Sequence, residues 1–90
     1  MVKVKICGIT NLADALAAVE AGADMLGFNF YRPSSRYIEP ERAREIIGQL
    51  KAAQPDSSIQ TVGVFVNAPI DSITRIANEA QLDAVQLHGD

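Results

Sequence analysis

The sequence alternates strand-like and helix-like patterns of apolar residues over its whole length. Four strand-like segments are separated by three stretches in which apolar residues recur at helical spacing, i, i+3, i+4 and i+7. Strands that alternate with helices are typical of parallel sheets, in which a right-handed crossover joins each strand to the next. The pattern therefore predicts an α/β fold with the element order βαβαβαβ.

The boundaries of these elements follow from local signals. The first helix has two candidate caps, Thr10 and Asn11, and closes at Ala21-Gly22, while Pro40 suits the first turn of the second helix. The third helix follows Ala68-Pro69 and carries its apolar stripe up to Ala80. Three predicted strands are VKVKIC (residues 2–7), MLGFNF (25–30) and TVGVFVN (61–67), and DAVQLHGD (83–90) supplies the fourth, which ends at His88.

An internal repeat supports this segmentation. The segment EAGADMLGF (Glu20 to Phe28) matches EAQLDAVQL (Glu79 to Leu87), with the Glu, Ala, Asp and apolar positions in register. Each copy is predicted to join the end of a helix to the start of a strand.

The size of the chain limits the architecture. Ninety residues can bury one core, so residues 1–90 are interpreted as a single unit without an internal domain boundary. A (β/α)8 barrel needs about 250 residues. We therefore expect half of such a barrel, truncated after strand four, with unpaired sheet edges at Val2–Ile6 and Val85–Leu87.

Charge and cysteine content exclude several classes of function. Eight Lys and Arg against eleven Asp and Glu give a net charge of −3, which provides no basic field for nucleic acid. No apolar run reaches the ~18 residues of a membrane helix, and no amphipathic anchor is evident. The single cysteine cannot form an internal disulfide, which favours a reducing, cytoplasmic location.

Four motifs carry a resemblance to a known family. KICGIT, GFNFYRPSSRYI, VGVFVN and VQLHGD, in this order and at these separations, resemble the strand ends of the phosphoribosylanthranilate isomerase family. The resemblance implies the N-terminal half of a (β/α)8 TIM barrel with its active site at the carboxyl ends of the strands. It also implies an Amadori rearrangement in tryptophan biosynthesis, from N-(5-phosphoribosyl)anthranilate to 1-(2-carboxyphenylamino)-1-deoxyribulose 5-phosphate, without a metal or organic cofactor.

The resemblance assigns roles to two residues. It implies that Cys7 is the general base and that Arg36 binds the carboxylate of the anthranilate group. A free thiol has a pKa of about 8.5, and a nearby ammonium raises its thiolate fraction. If Val2, Val4 and Ile6 pack against the helices, Lys5 points into the barrel together with Cys7, and we hypothesise that it favours the thiolate.

Two further rim residues come from the fourth strand. His88 ends this strand, where it could hydrogen-bond substrate, and Gln86 would point to the same inner face. The acid that the resemblance implies, an aspartate near strand five, and the phosphate loops after strands seven and eight do not occur in this chain. Asp90 follows strand four and is interpreted as a solvated carboxylate. The 90 residues alone are therefore expected to be inactive.

Two alternatives remain open at this point. The chain could be part of another sugar-phosphate (β/α)8 enzyme, because one fold supports many chemistries. It could also be a non-catalytic half-barrel that forms homo-oligomers through its open strand edges. The partners expected for the isomerase are a phosphorylated small molecule and the C-terminal half of the barrel, with no nucleic acid and no membrane.

Overall fold

A computed structural model describes residues 3–88 and shows the predicted order of elements. Predictions that concern Val2, Gly89 and Asp90 lie outside the described residues. The elements are β1 (Lys5–Ile6), α1 (Leu12–Glu20), β2 (Met25–Asn29), α2 (Pro40–Ala53), β3 (Gln60–Val66), α3 (Ile70–Ala80) and β4 (Ala84–His88).

The four strands form one parallel sheet in the order β1-β2-β3-β4. Ile6 lies opposite Leu26, Leu26 opposite Thr61, and Val64 opposite Gln86. Strands β1 and β4 are the two edges of the sheet within residues 3–88, so the predicted open edges are confirmed there. Strand β1 is shorter than predicted, because only Lys5 and Ile6 pair with β2.

The helix boundaries agree with the local signals. Asn11, one of the two predicted caps, begins α1, and its side-chain oxygen accepts a hydrogen bond from the amide of Asp14 at 2.8 Å. Helix α1 ends at Glu20 with Ala21 as its C-cap, and the following Gly22 has a φ of 93°, a left-handed conformation that favours glycine. Pro40 occupies the first turn of α2, as predicted.

The core lies between one face of the sheet and the three helices. Leu26 and Phe28 from β2 are fully buried there, and the ring of Phe30 stacks on Phe65 of β3 with centroids 5.3 Å apart. The helices contribute Ala15 and Ala18 from α1, Ala43, Ile46, Ile47 and Leu50 from α2, and Ile73 and Ala80 from α3. The three helices leave the opposite face of the sheet uncovered.

The helix-facing residues of the two edge strands are exposed. Val4 and Ile6 are 46 % and 39 % exposed, and Val85 and Leu87 are 43 % and 63 % exposed. Packing of Val4 and Ile6 against helices, the condition from which the orientation of Lys5 was inferred, is therefore not met within residues 3–88. The physical reason is that three helices cover the inner strands and leave the outer side of each edge strand open.

The sequence repeat has a structural counterpart. Asp24 precedes β2, and its carboxylate accepts a hydrogen bond from the amide of Val4 at 2.7 Å. Asp83 precedes β4, and its carboxylate accepts bonds from the amide and the hydroxyl of Thr61 at 2.9 and 3.1 Å. Each copy thus joins a helix to a strand, as predicted, and ties that strand to the one before it.

None of the helices described over residues 3–88 combines the length and the apolar character that crossing a bilayer requires.

Candidate active site

The carboxyl ends of the four strands meet at one edge of the sheet because the strands are parallel. Cys7 follows β1, Asn29 ends β2 and His88 ends β4. The amide of Asn67, directly after β3, donates to the carbonyl of His88 at 3.1 Å, which joins the ends of the last two strands.

The Cys7 side chain is exposed at this edge and packs against a glycine. A Cβ atom on Gly27 would lie 2.6 Å from the Cys7 Sγ and 3.3 Å from the Cys7 Cα. The missing side chain at Gly27 therefore makes the room that the thiol occupies. Gly27 is a site residue that the motifs of the sequence did not indicate, although a lone glycine inside an apolar strand is a signal of close approach.

Arg36 extends from the loop after β2 to the turn that follows Cys7. Its Nη1 donates to the carbonyl of Gly8 at 3.4 Å, and its side chain lies across Gly8, where an added Cβ would come within 3.3 Å of the Arg36 Cγ. Gly8 has a φ of 80°, a conformation that other residues rarely adopt. The structure thus brings Arg36 and Cys7 to the same groove, which Asp14 also lines.

Gln86 and Lys5 meet across the face of the sheet that the helices leave open. The Lys5 Nζ donates to the Gln86 Oε1, although the two residues lie on opposite edge strands. The predicted inward orientation of both side chains is therefore confirmed. His88 is exposed at the end of β4 and lines a separate groove with Asn67 and Leu87.

The loop after β2 is held in shape by side chains that the sequence did not reveal. The Asn29 Oδ1 accepts from the amide of Tyr31 at 2.8 Å, and the Asn29 Nδ2 donates to the Ser34 Oγ at 3.3 Å. The Ser34 Oγ also accepts from the amide of Arg36 at 3.1 Å. These bonds connect the end of β2 to the backbone that carries Arg36.

Within residues 3–88, His, Cys, Asp and Glu side chains do not gather in groups of three or more that could hold a metal ion. The polar groups at the strand ends are a thiol, a guanidinium, an imidazole and amides, and these can transfer protons and bind carboxylates or hydroxyls.

Comparison with known proteins decides the family. A family model described as N-(5'phosphoribosyl)anthranilate (PRA) isomerase matches residues 4–90. This chain belongs to that family. It is 56 % identical over all 90 residues to the N-(5'-phosphoribosyl)anthranilate isomerase of Geotalea daltonii, and 57 % identical to that of Thermotoga neapolitana.

Solved structures of the isomerase family have the same fold. The chain superimposes on phosphoribosyl anthranilate isomerase from Thermotoga maritima with a TM-score of 0.87 at 54 % identity, covering 100 % of this chain. A second isomerase structure, a complex with reduced 1-(o-carboxyphenylamino)-1-deoxyribulose 5-phosphate, also gives 0.87 at 54 % identity and covers 100 % of this chain. The four parallel strands with their helices are thus the first half of a TIM barrel, as predicted.

The chain spans 41 % of the Geotalea daltonii protein and 42 % of the Thermotoga maritima structure. It corresponds to the N-terminal part of these isomerases.

Proposed function

We propose that the protein carrying this chain is a phosphoribosylanthranilate isomerase of tryptophan biosynthesis. Its reaction converts N-(5-phosphoribosyl)anthranilate to 1-(2-carboxyphenylamino)-1-deoxyribulose 5-phosphate. The observation that carries the proposal is the family match across residues 4–90, together with a thiol and a guanidinium at one end of the sheet. Family membership favours this reaction over that of another sugar-phosphate barrel.

The rearrangement requires two proton transfers. An acid protonates the ring oxygen of the ribose so that the ring opens to a Schiff base, and a base then removes the proton from C2′. Cys7 is proposed as that base, because its thiol is exposed at the carboxyl end of β1. As a thiolate, its sulfur would take up the C2′ proton and leave an enol that tautomerises to the ketone.

Arg36 is proposed to bind the carboxylate of the anthranilate group. A guanidinium has a planar set of donors that matches a carboxylate, and its charge does not depend on pH near neutrality. The ligand in the related complex contains a carboxyphenyl group and a phosphate, and both are anionic. His88 at the same edge of the sheet and Gln86 on its open face are proposed as further substrate-binding residues.

The C-terminal half of the barrel is proposed as the partner of this half, with a phosphorylated small molecule as substrate and no cofactor. The exposed apolar side chains of both edge strands support this proposal, because completing the barrel would cover them: Val4, Ile6, Val85 and Leu87. The C-terminal half would also supply the acid and the phosphate site. We place the protein in the cytoplasm on the basis of its free Cys7.

Kinetics of the complete natural protein tests this function. Cys7→Ala should lower kcat about 10²- to 10⁴-fold because the base is lost. Ser35→Ala, which changes an exposed loop residue, should leave kcat unchanged. The assignment of the base would be wrong if Cys7→Ala retained wild-type kcat, and the proposed function would be wrong if the wild-type protein did not turn over the substrate.

A second candidate is a non-catalytic half-barrel that self-associates, and the exposed edge residues favour it as well. Sedimentation equilibrium of the 90-residue chain separates the two candidates when combined with the kinetics. A stable homo-oligomer, together with a complete protein that lacks isomerase activity, would support the half-barrel and exclude the enzyme.

A further inference from the structure

Arg36 lies in an exposed loop, where a long side chain is normally mobile. Residues 31–37 contain no helix, and Arg36 itself is exposed. Ordering a free arginine side chain costs about 2 kcal/mol of rotamer entropy, which weakens any carboxylate site built from it. A loop that held Arg36 in place before the substrate arrived would remove part of this cost.

Ser34 holds the backbone of Arg36. The Ser34 Oγ accepts from the Arg36 amide at 3.1 Å, and the carbonyl of Ser34 accepts from the Tyr37 amide at 3.1 Å. Ser34 is half-buried, whereas Ser35 and Arg36 beside it are exposed. Ser34 therefore shapes the turn from which the Arg36 side chain leaves the loop.

Asn29 connects this turn to the sheet. It is the last residue of β2, its Nδ2 donates to the Ser34 Oγ at 3.3 Å, and its Oδ1 accepts from the Tyr31 amide at 2.8 Å. Its carbonyl accepts from the Ile38 amide at 3.0 Å, so Asn29 contacts both ends of the loop. A residue fixed by strand pairing thereby controls the position of Ser34.

The far end of the Arg36 side chain also has a fixed contact. Its aliphatic part lies across Gly8, and its Nη1 reaches the Gly8 carbonyl at 3.4 Å, one residue beyond Cys7. A continuous set of contacts thus runs from β2 through Asn29 and Ser34 to Arg36 and the turn at Cys7. None of these contacts involves a buried apolar cluster, so they contribute little to the core.

We propose that Asn29 and Ser34 are positioning residues, which aim the Arg36 guanidinium at the carboxylate of the substrate before binding. This inference rests on the proposed function. It predicts that removing either side chain weakens substrate binding and leaves the chemical step unchanged, because neither residue contacts the proposed base.

Steady-state kinetics of the complete natural protein tests the inference. Ser34→Ala should raise KM about fivefold to tenfold at unchanged kcat, which is the size expected for one lost hydrogen bond. Ser34→Thr keeps the hydroxyl, so its KM should equal the wild-type KM. Asn29→Ala should raise KM by a similar factor. Asn29→Asp keeps the acceptor for the Tyr31 amide but loses the donor to Ser34, so its KM should equal that of Asn29→Ala or lie between that value and the wild-type KM. Ser35→Ala is the matched control.

A double-mutant cycle distinguishes positioning from a general effect on the loop. In an Arg36→Ala background, Ser34→Ala should change KM less than twofold, because the residue that it positions is gone.

Hydrogen exchange supplies a readout independent of activity. The Arg36 amide should exchange faster in Ser34→Ala than in the wild type, with thermal unfolding showing that both are folded.

The inference would be overturned if folded Ser34→Ala kept the wild-type KM. It would also be overturned if Ser34→Ala raised KM by the same factor in the wild-type protein and in Arg36→Ala. Absence of isomerase activity in the wild-type protein would overturn the proposed function itself. Faster exchange of the Arg36 amide without any change in KM would show that the bond exists but does not position a substrate-binding group, which also overturns the inference.

Discussion

Replacing Gly27 by alanine should displace the Cys7 thiol while the fold remains intact. The added Cβ would lie 2.6 Å from the Cys7 Sγ, whereas non-bonded atoms of this size prefer separations of about 3.5 to 4.0 Å. The sulfur must therefore move by about 1 Å. A misplacement of about 1 Å in an active site costs about 10²-fold in rate, so we expect kcat of the complete protein to fall about 100-fold.

The effect of Gly27→Ala on stability should be much smaller. Overpacking costs about 1 to 3 kcal/mol, and the restricted unfolded chain returns about 0.4 to 1 kcal/mol. The Cys7 side chain is exposed and can rotate towards solvent, which places the cost in the lower part of this range. We expect a net loss of about 1 kcal/mol in the free energy of unfolding, measured by urea denaturation.

Gly48→Ala is the matched control for this experiment. Gly48 lies inside α2, and an added Cβ there meets nothing within 4 Å. The change should stabilise the protein by about 0.5 to 1 kcal/mol and leave kcat unchanged. A role for Gly27 in placing the Cys7 thiol would be excluded if folded Gly27→Ala kept kcat within about threefold of the wild type, or if Gly48→Ala lost activity to the same extent.

Three further substitutions test the packing and the hydrogen bonds of the fold. Gly63→Ala should lower the free energy of unfolding by about 1 to 2.5 kcal/mol, because its Cβ would overlap the side chains packed over β3; an unchanged urea midpoint would contradict this. Asp83→Ala should lower the free energy of unfolding by about 2 to 3 kcal/mol, and Asp24→Ala should lower it by less. The reason is that Asp83 accepts two hydrogen bonds from the preceding strand, whereas Asp24 accepts one. Equal losses of stability in thermal unfolding would contradict this prediction.

Local patterns in the sequence were sufficient for the order of the elements. The cap at Thr10 or Asn11, the proline at the start of α2 and the apolar stripes each depend on residues within one or two turns, so the sequence alone predicts them. The choice of Asn11 over Thr10 came only from the structure. The sequence also showed how the two copies of the repeat align, but it did not predict the hydrogen bonds that Asp24 and Asp83 accept.

Features that depend on distant residues could not be predicted. The burial of Val4 and Ile6 depends on whether a helix covers the outer side of β1, and the alternation of residues within the strand carries no such information. The bond between Lys5 and Gln86 joins residues 81 positions apart. The contacts of Asn29 with the loop were missed for another reason, since an asparagine at a strand end predicts a turn but not its partners.

The carboxylates of Asp24 and Asp83 each fasten one strand to its predecessor in the sheet, β2 to β1 and β4 to β3. The connector between α2 and β3, residues 54–58, is exposed throughout and separates these two pairs of strands in the sequence. A domain inserted in this connector would leave both fastenings intact, so we expect insertion there to be tolerated.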